Sequence, residues 1–262
     1  MTGRGNFFPL SGAMEAVIRT AFQPIMSHRG HVVAYEALLR FREGLDKPDS
    51  RESMIRRWED CGYIGTVDVS VVKQAIAALD MLHQSLMVSV NVSLVTLNAH
   101  RERYLRQLDG LGAKAKRLIV EVTDTASESD PTVLLQFARD CMERNVRLAL
   151  DDFMPERPRS VETLLQLVRP KLIKLDRKSV SAAFQRVQDH DIRAIVEAAT
   201  GVGTRVVALG IDSQEKFDWA FELGVRYFQG FLVGHPRQFP LFDTQASFRD
   251  VADSQVPAEL AA

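Results

Sequence analysis

Two hydrophobic rhythms alternate along the chain. Short runs that are apolar at every second position, or continuously, predict strands; longer stretches with apolar residues three and four apart predict helices. Phe22 to Met26 and His31 to Arg40 read as strands, joined by the hairpin-type turn Ser27-His28-Arg29-Gly30, in which glycine relieves backbone strain. Helical spacing follows over Ser50 to Cys61 and Thr66 to His83, with Val69, Val72, Ile76 and Leu79 on one stripe. Leu86 to Val92 reads as a strand and Leu94 to Leu111 as a helix. Leu118 to Val122 is strand-like, and a helix over Pro131 to Arg144 begins near Asp130-Pro131. A strand is expected over Val146 to Asp152, a helix over Val161 to Leu167, a strand over Leu172 to Asp176 and a helix over Ser181 to Thr200. The pattern closes with a strand over Arg205 to Leu209, a helix over Ser213 to Leu223 ending at Gly224, and a strand over Tyr227 to Leu232.

That is about eight strands, most followed by a helix, in the size range of a TIM-like (β/α)8 barrel. The turn between the first two strands is too short for a parallel crossover, so the first strand should run antiparallel to the rest. An open doubly wound sheet is the competing fold, but no Gly-x-Gly-x-x-Gly follows the first strand. No linker or repeat divides the chain. The expected organisation is an N-terminal extension (1–15), one domain (16–242) and a C-terminal tail (243–262) that is polar and Ala-rich.

Composition changes this picture little. With 46% hydrophobic and 26% charged residues and a formal net charge of −1, the chain reads as an ordinary globular protein without a footprint for nucleic acid or an anionic membrane. Arg101, Arg103 and Arg106 are partly balanced by nearby acids and read as a solvated helix face. Cys61 and Cys141 lie far apart without metal-ligand spacing, and no signal-peptide core or bilayer-length apolar run is present, so a cytoplasmic location is expected.

The chemistry lies at the strand ends. Leu148 to Phe153 reads Leu-Ala-Leu-Asp-Asp-Phe, an apolar strand ending in two adjacent carboxylates. Either Asp151-Asp152 caps the next helix, or the strand opens into a polar, metal-bearing site. The other strand ends favour the second reading. Glu36, Asn91, Glu121, Asp151, Asp152, Lys174, Asp176 and Gln229 all fall at or near the ends where a barrel does its chemistry. So many carboxylates would repel one another without cations. Oxygen ligands suit Mg2+, Mn2+ or Ca2+, and an Asp able to bridge two ions points to phosphoester hydrolysis. A lysine there could steady a hydroxide or bind phosphate. Lys174 and Asp176 could instead pair with each other, and Asp176 reads as structural.

These residues carry a resemblance. Phe22-Gln23-Pro24-Ile25 with Tyr35-Glu36-Ala37-Leu38-Leu39-Arg40 is similar to the opening of an EAL domain, the family of cyclic di-GMP phosphodiesterases. Val90-Asn91-Val92-Ser93, Val120-Glu121-Val122-Thr123-Asp124, Asp151-Asp152-Phe153, Lys174-Leu175-Asp176 and Gln229-Gly230 follow in the family's order, over roughly Phe22 to Pro236. The resemblance implies Glu36, Asn91, Glu121, Asp151 and Asp152 as ligands of Mg2+ or Mn2+, with Asp151 a bridge and Ca2+ an inhibitory occupant. It implies Lys174, Asp152 and Glu36 as catalytic, and Gln23, Arg40 and Gln229 as residues that bind or order the dinucleotide substrate.

Two departures stand against full activity. The family's Ala-Glu-Gly-Val-Glu segment reads here Ala208-Leu209-Gly210-Ile211-Asp212, so Leu209 replaces a Glu needed for catalysis in active members. Leucine can neither ligate a cation nor deprotonate water, and losing a general base alone removes ~10²–10⁴ of rate. The glycine-rich loop expected after the Asp-Asp pair reads Met154-Pro155-Glu156-Arg157-Pro158-Arg159-Ser160, and its usual Glu anchor is shortened to Asp124. The favoured expectation is a degenerate EAL protein, a cyclic di-GMP receptor or a protein-interaction regulator in bacterial cyclic di-GMP signalling. The alternative is an active metal-dependent phosphodiesterase producing pGpG. Partners under this reading are cyclic di-GMP, a protein or a second copy in a homodimer, with neither nucleic acid nor membrane.

Overall fold

The computed structural model describes residues 18–41, 48–123, 131–153, 161–186 and 189–238. Strands β1 (Ile18–Ser27) and β2 (Val32–Phe41) form the expected antiparallel hairpin. Its turn is closed by the Ser27 N–H donating to the His31 carbonyl (2.8 Å), with Gly30 at φ 77°, a left-handed conformation that glycine adopts without penalty. Strands β3 (Met87–Asn91), β4 (Leu118–Thr123), β5 (Arg147–Phe153), β6 (Leu172–Leu175), β7 (Arg205–Leu209) and β8 (Tyr227–Gln229) follow in parallel. β8 pairs antiparallel with β1 through Met26↔Phe228 and Ser27↔Tyr227, which closes an eight-stranded barrel. A two-residue strand, β9 (Arg237–Gln238), adds to the outer part of β1; the hydrophobic pattern is silent about it because two exposed polar residues carry no period.

Helices α1 (Pro48–Asp60), α2 (Ile64–Met81), α3 (Leu94–Ala99), α4 (Arg101–Leu108), α5 (Pro131–Glu143), α6 (Val161–Val168), α7 (Arg177–Arg186), α8 (His190–Gly201) and α9 (Gln214–Glu222) are interspersed with the strands. Val69, Val72 and Leu79 of α2 are buried as their spacing predicts. The main core lies between outward strand residues such as Val88, Val90, Val120 and Leu150 and the inner helix faces. A smaller core of Ile25, Ala34, Ile119, Ala149, Leu172 and Val207 fills the barrel itself.

Three expectations need correction. The single helix expected over Leu94 to Leu111 is two, because His100 leaves the helical backbone (φ −133°, ψ 16°). Its ring packs on Gly65 of α2 where a Cβ would collide, and its Nε2 lies 3.1 Å from the Gly62 carbonyl, so tertiary packing overrides local periodicity. The helix expected over Ser181 to Thr200 is also two, α7 and α8, and begins earlier because Asp176 accepts hydrogen bonds from the Ser179 N–H (2.8 Å) and hydroxyl (2.7 Å), a capping arrangement. The last barrel strand stops at Gln229: Gly230 lies so close to the backbone of Ile211 that no side chain fits, and the chain turns. Asp124 and the segment 154–160 lie outside the described residues.

Candidate functional site

Strand alternation decides which side chains enter the barrel. Ile25, Ala34, Ile119, Ala149, Leu172 and Val207 point inward as its floor. Two residues further along each strand, toward the C-terminal end of the parallel set, the same parity delivers Glu36, Glu121, Asp151, Lys174 and Leu209; on the antiparallel β1 it delivers Gln23, which pairs with Glu36. Asn91 pairs with Glu121, and Gln229 with Leu209. A bulge separates the two aspartates: between the Leu150↔Ile173 and Phe153↔Leu175 pairs, Asp151 and Asp152 stand opposite Lys174 alone. Asp151 is buried beside the lysine, while Asp152 adopts φ 51° and is exposed.

Lys174 is the hub. Its ammonium, 1% exposed, lies 2.7 Å from Glu121 Oε2, 2.9 Å from Glu36 Oε2 and 3.5 Å from Asp151 Oδ1. Asn91 Nδ2 donates to Glu36 Oε1 (2.9 Å) and Gln229 Nε2 to Glu36 Oε2 (2.6 Å). Gln23 Nε2 donates to the Gly234 carbonyl (3.1 Å), and its Oε1 lies 3.4 Å from the Gln229 amide nitrogen. Lys174 thus pairs with the three acids and not with Asp176, which caps α7.

The electrostatics follow from burial. Desolvation would raise Glu36, but the Lys174 charge and hydrogen bonds from Lys174, Gln229 and Asn91 hold its carboxyl below the usual range. Burial pushes Glu121 up to about 8 despite Lys174, with the Glu36 and Asp151 charges adding to the rise. Burial likewise lifts Asp151 to about 6 against Lys174. Burial opposes the Lys174 charge, yet the three carboxylates hold its pKa well above the ordinary value.

The donor set suits a hard cation. One oxygen from each of Glu36, Glu121 and Asp151 falls within 4.8 Å of the others. Among the described residues, Glu121 Oε1, Asp151 Oδ1 and the Gln229 side-chain oxygen Oε1 are buried without a hydrogen-bond partner. Three carboxylates face one ammonium, so a divalent ion would both engage the orphaned oxygens and offset the surplus negative charge.

A cavity of about 170 Å3 opens beside this group, lined by Gln23, Glu36, Asp151, Lys174, Leu209 and Gln229, with Arg177, Asp212 and Phe231 at its edge. Leu209, at the end of β7, therefore presents an apolar wall to the acids. Asp212 is engaged by Lys216 (2.8 Å), which holds its carboxyl below the usual range. Arg40 donates to its neighbour's carbonyl, Leu39 O (2.8 Å), and does not line this cavity. The sequence reading passed over Phe231, Arg177 and His235. Phe231 is 50% exposed, its ring stacks on His235 at 4.3 Å, and the Arg177 guanidinium lies 5.8 Å from its centroid. An exposed aromatic ring beside a cation is a surface on which a planar base can stack; the only sequence sign was an aromatic next to Gln229-Gly230.

Known proteins share this fold. Over 87% of its length the chain superposes with a TM-score of 0.76 and 24% identity on 94% of a solved chain described as the PaMucR phosphodiesterase in complex with c-di-GMP. It is 28% identical over 233 residues, 86% of its length, to the biofilm architecture maintenance protein MbaA of Vibrio cholerae, and 27% identical over 229 residues, 82% of its length, to the cyclic di-GMP phosphodiesterase PdeL of Escherichia coli K12. It spans 29% of MbaA and 61% of PdeL. The profile of the family described as EAL domain matches residues 11–236, and with this match, and a barrel whose strand ends carry Glu36, Asn91, Glu121, Asp151 and Lys174, the chain belongs to the EAL domain family.

Proposed function

We propose that this chain is a degenerate EAL domain that binds cyclic di-GMP with little or no hydrolysis and acts as a receptor or interaction regulator in bacterial cyclic di-GMP signalling. The observation that carries this reading is Leu209 on the cavity wall, facing Glu36, Asp151 and Lys174. An isobutyl group there neither accepts a proton nor orients water, and it drains polarity from the side on which an attacking water must be held. Binding needs less. Gln23, Gln229 and Lys174 keep their places around the cavity, and Phe231 with Arg177 offers a stacking surface at its edge. Arg40, at the end of the hairpin, is assigned to the nucleotide as the family pattern implies.

Glu36, Asn91, Glu121, Asp151 and, at the bulge, Asp152 would hold Mg2+ or Mn2+. When bound, such an ion supplies Lewis-acid stabilisation and a more acidic water. Lys174 keeps the acids gathered and stands ready to balance phosphate charge; Gln229 and Asn91 orient Glu36. The retained acid set and its orphaned oxygens favour a second reading, an active phosphodiesterase releasing pGpG.

The test is calorimetry with cyclic di-GMP in Ca2+, which should report binding, beside a hydrolysis assay in Mg2+ or Mn2+, which should show little pGpG from the native chain. Leu209→Glu should raise pGpG formation by about 10²-fold or more. Rapid native turnover, abolished by Glu36→Ala, would establish the phosphodiesterase instead. A flat titration would leave a protein partner or a second copy as the object recognised.

A further inference from the structure

We propose that the cleft between α5 and α6, at the N-terminal end of β5, is a second ligand site, built for the phosphates of a soluble nucleotide-sized phosphoester. It is independent of the cyclic di-GMP reading. The cleft has a volume of about 740 Å3, larger than the cavity at the other end of the barrel and within the usual range of small-molecule sites. Lys116, Arg139, Arg147, Arg169 and Lys171 line it, and among the described residues no carboxylate does. These cations come from the turn before β4, from α5, from the start of β5 and from the segment between α6 and β6, so they converge only in the fold.

None of the five forms an ion pair among the described residues. Some cations elsewhere are paired, Arg101 with Asp140, Arg144 with Asp109 and Lys114 with Asp80. Arg147, half-buried at the inner edge of the cleft, shares the inward parity of Ala149 and donates to the thioether of Met87 at the barrel floor (2.8 Å), a weak acceptor, while Arg169 donates to the Gln166 carbonyl (3.4 Å). Glu162, one turn from Gln166, is engaged by the Gln166 amide (3.0 Å). Burial and the neighbouring Arg205 charge draw the Arg147 pKa down from its usual value, the direction of a cation that lacks an anion. Guanidinium and ammonium groups gathered without counter-charge are what phosphate oxygens bind through charge-assisted hydrogen bonds.

The remaining lining sets the size and character of the ligand. Met142 of α5 and Leu167 of α6, 66% and 62% exposed, line the cleft with Leu135, an apolar surface for a base or sugar. Asn145 and Gln166 supply amides for its polar edge. A flat membrane surface would not need a concavity ringed from four elements, whereas a compact phosphoester would.

Titration of the chain with GTP and, separately, with inorganic pyrophosphate at near-physiological salt tests this, by calorimetry and by broadening of the 31P resonances. Saturable binding of GTP, with pyrophosphate weaker, is expected. Arg139→Glu with Lys171→Glu should weaken it by about tenfold or more, with circular dichroism and the cyclic di-GMP titration unchanged; Arg169→Ala should weaken it in the same direction. Absence of saturable binding by either probe would overturn the proposal. So would equal affinity in the charge-reversed variant, or binding confined to phosphatidylglycerol vesicles.

Discussion

At the C-terminal end of the barrel, Glu36, Glu121 and Asp151 converge on one ammonium, and amides from Asn91 and Gln229 hold Glu36. At the N-terminal end of β5 and in the cleft beside it, five cations line one cavity, with no carboxylate among its described lining residues. β5 contributes to both places, with Arg147 four residues before Asp151, yet one concentrates negative charge and partly answers it within the chain, while the other concentrates positive charge and leaves it unanswered among the described residues. In the first, the internal counter-charge organises the side chains before any ligand arrives, and the surplus negative charge would favour a cation. In the second, no side chain substitutes for the ligand, so occupancy depends on an anion from solution.

The sharpest way to break this contrast is to remove the counter-charge. Lys174→Met should cost about 3–5 kcal/mol, because three acids would remain gathered without it. Thermal unfolding should show the loss, and Mn2+ should return part of it; no recovery with Mn2+ would mean that the acids do not hold a cation. Asp68 separates an acid that supports structure from those that face the cavity. It accepts hydrogen bonds from the Ser93 N–H (2.9 Å) and the Thr96 hydroxyl just beyond Asn91, and burial raises its pKa to about 7, against those bonds. Its folded value lies above the unfolded one, near 4. Its protonated form is therefore favoured on folding, and stability falls as pH rises from about 4 through 7. Asp68→Asn should flatten the melting temperature over that range; an unchanged profile would assign the pH dependence elsewhere.

Asp176 sharpens the contrast further, since it stands two residues past Lys174 but serves α7. Asp176→Ala should cost about 1 kcal/mol, as for other lost caps, without altering cyclic di-GMP affinity in calorimetry. The smallest effect is expected at the other end. Arg139→Ala with Lys171→Ala should change stability by no more than roughly 0.5 kcal/mol; a larger loss in chemical denaturation would mean that these cations support the fold.

Much of the acidic end was legible because it depends on parity. An apolar strand carrying Glu36 and others with Asn91, Glu121, Asp151 and Lys174 at or near their ends announce a polar rim, and the hairpin turn at Gly30 announces the antiparallel first strand. The bulge that parts Asp151 from Asp152 was not legible: adjacent aspartates look alike until a facing strand supplies one residue where two are expected. The division at His100 was hidden because it answers to a glycine on another helix. The basic cleft was hidden by averaging. A net charge of −1 says nothing of where 33 basic residues lie, and Lys116, Arg139, Arg147, Arg169 and Lys171 show no spacing that links them.

The seam between β1 and β8 has a consequence for how the protein comes into being. It joins residues some two hundred positions apart, through Met26↔Phe228, Ser27↔Tyr227 and the His28 N–H to the Arg226 carbonyl (2.9 Å). Contacts of such long sequence separation form late, after the entropy of a very large loop has been overcome. Gln23 and Glu36 meet Gln229 only when that seam shuts, so the acidic end is assembled last during synthesis. A chain still emerging from the ribosome holds its acids, its lysine and the Asn91 amide, and gains the second amide on Glu36, that of Gln229, only with the eighth strand.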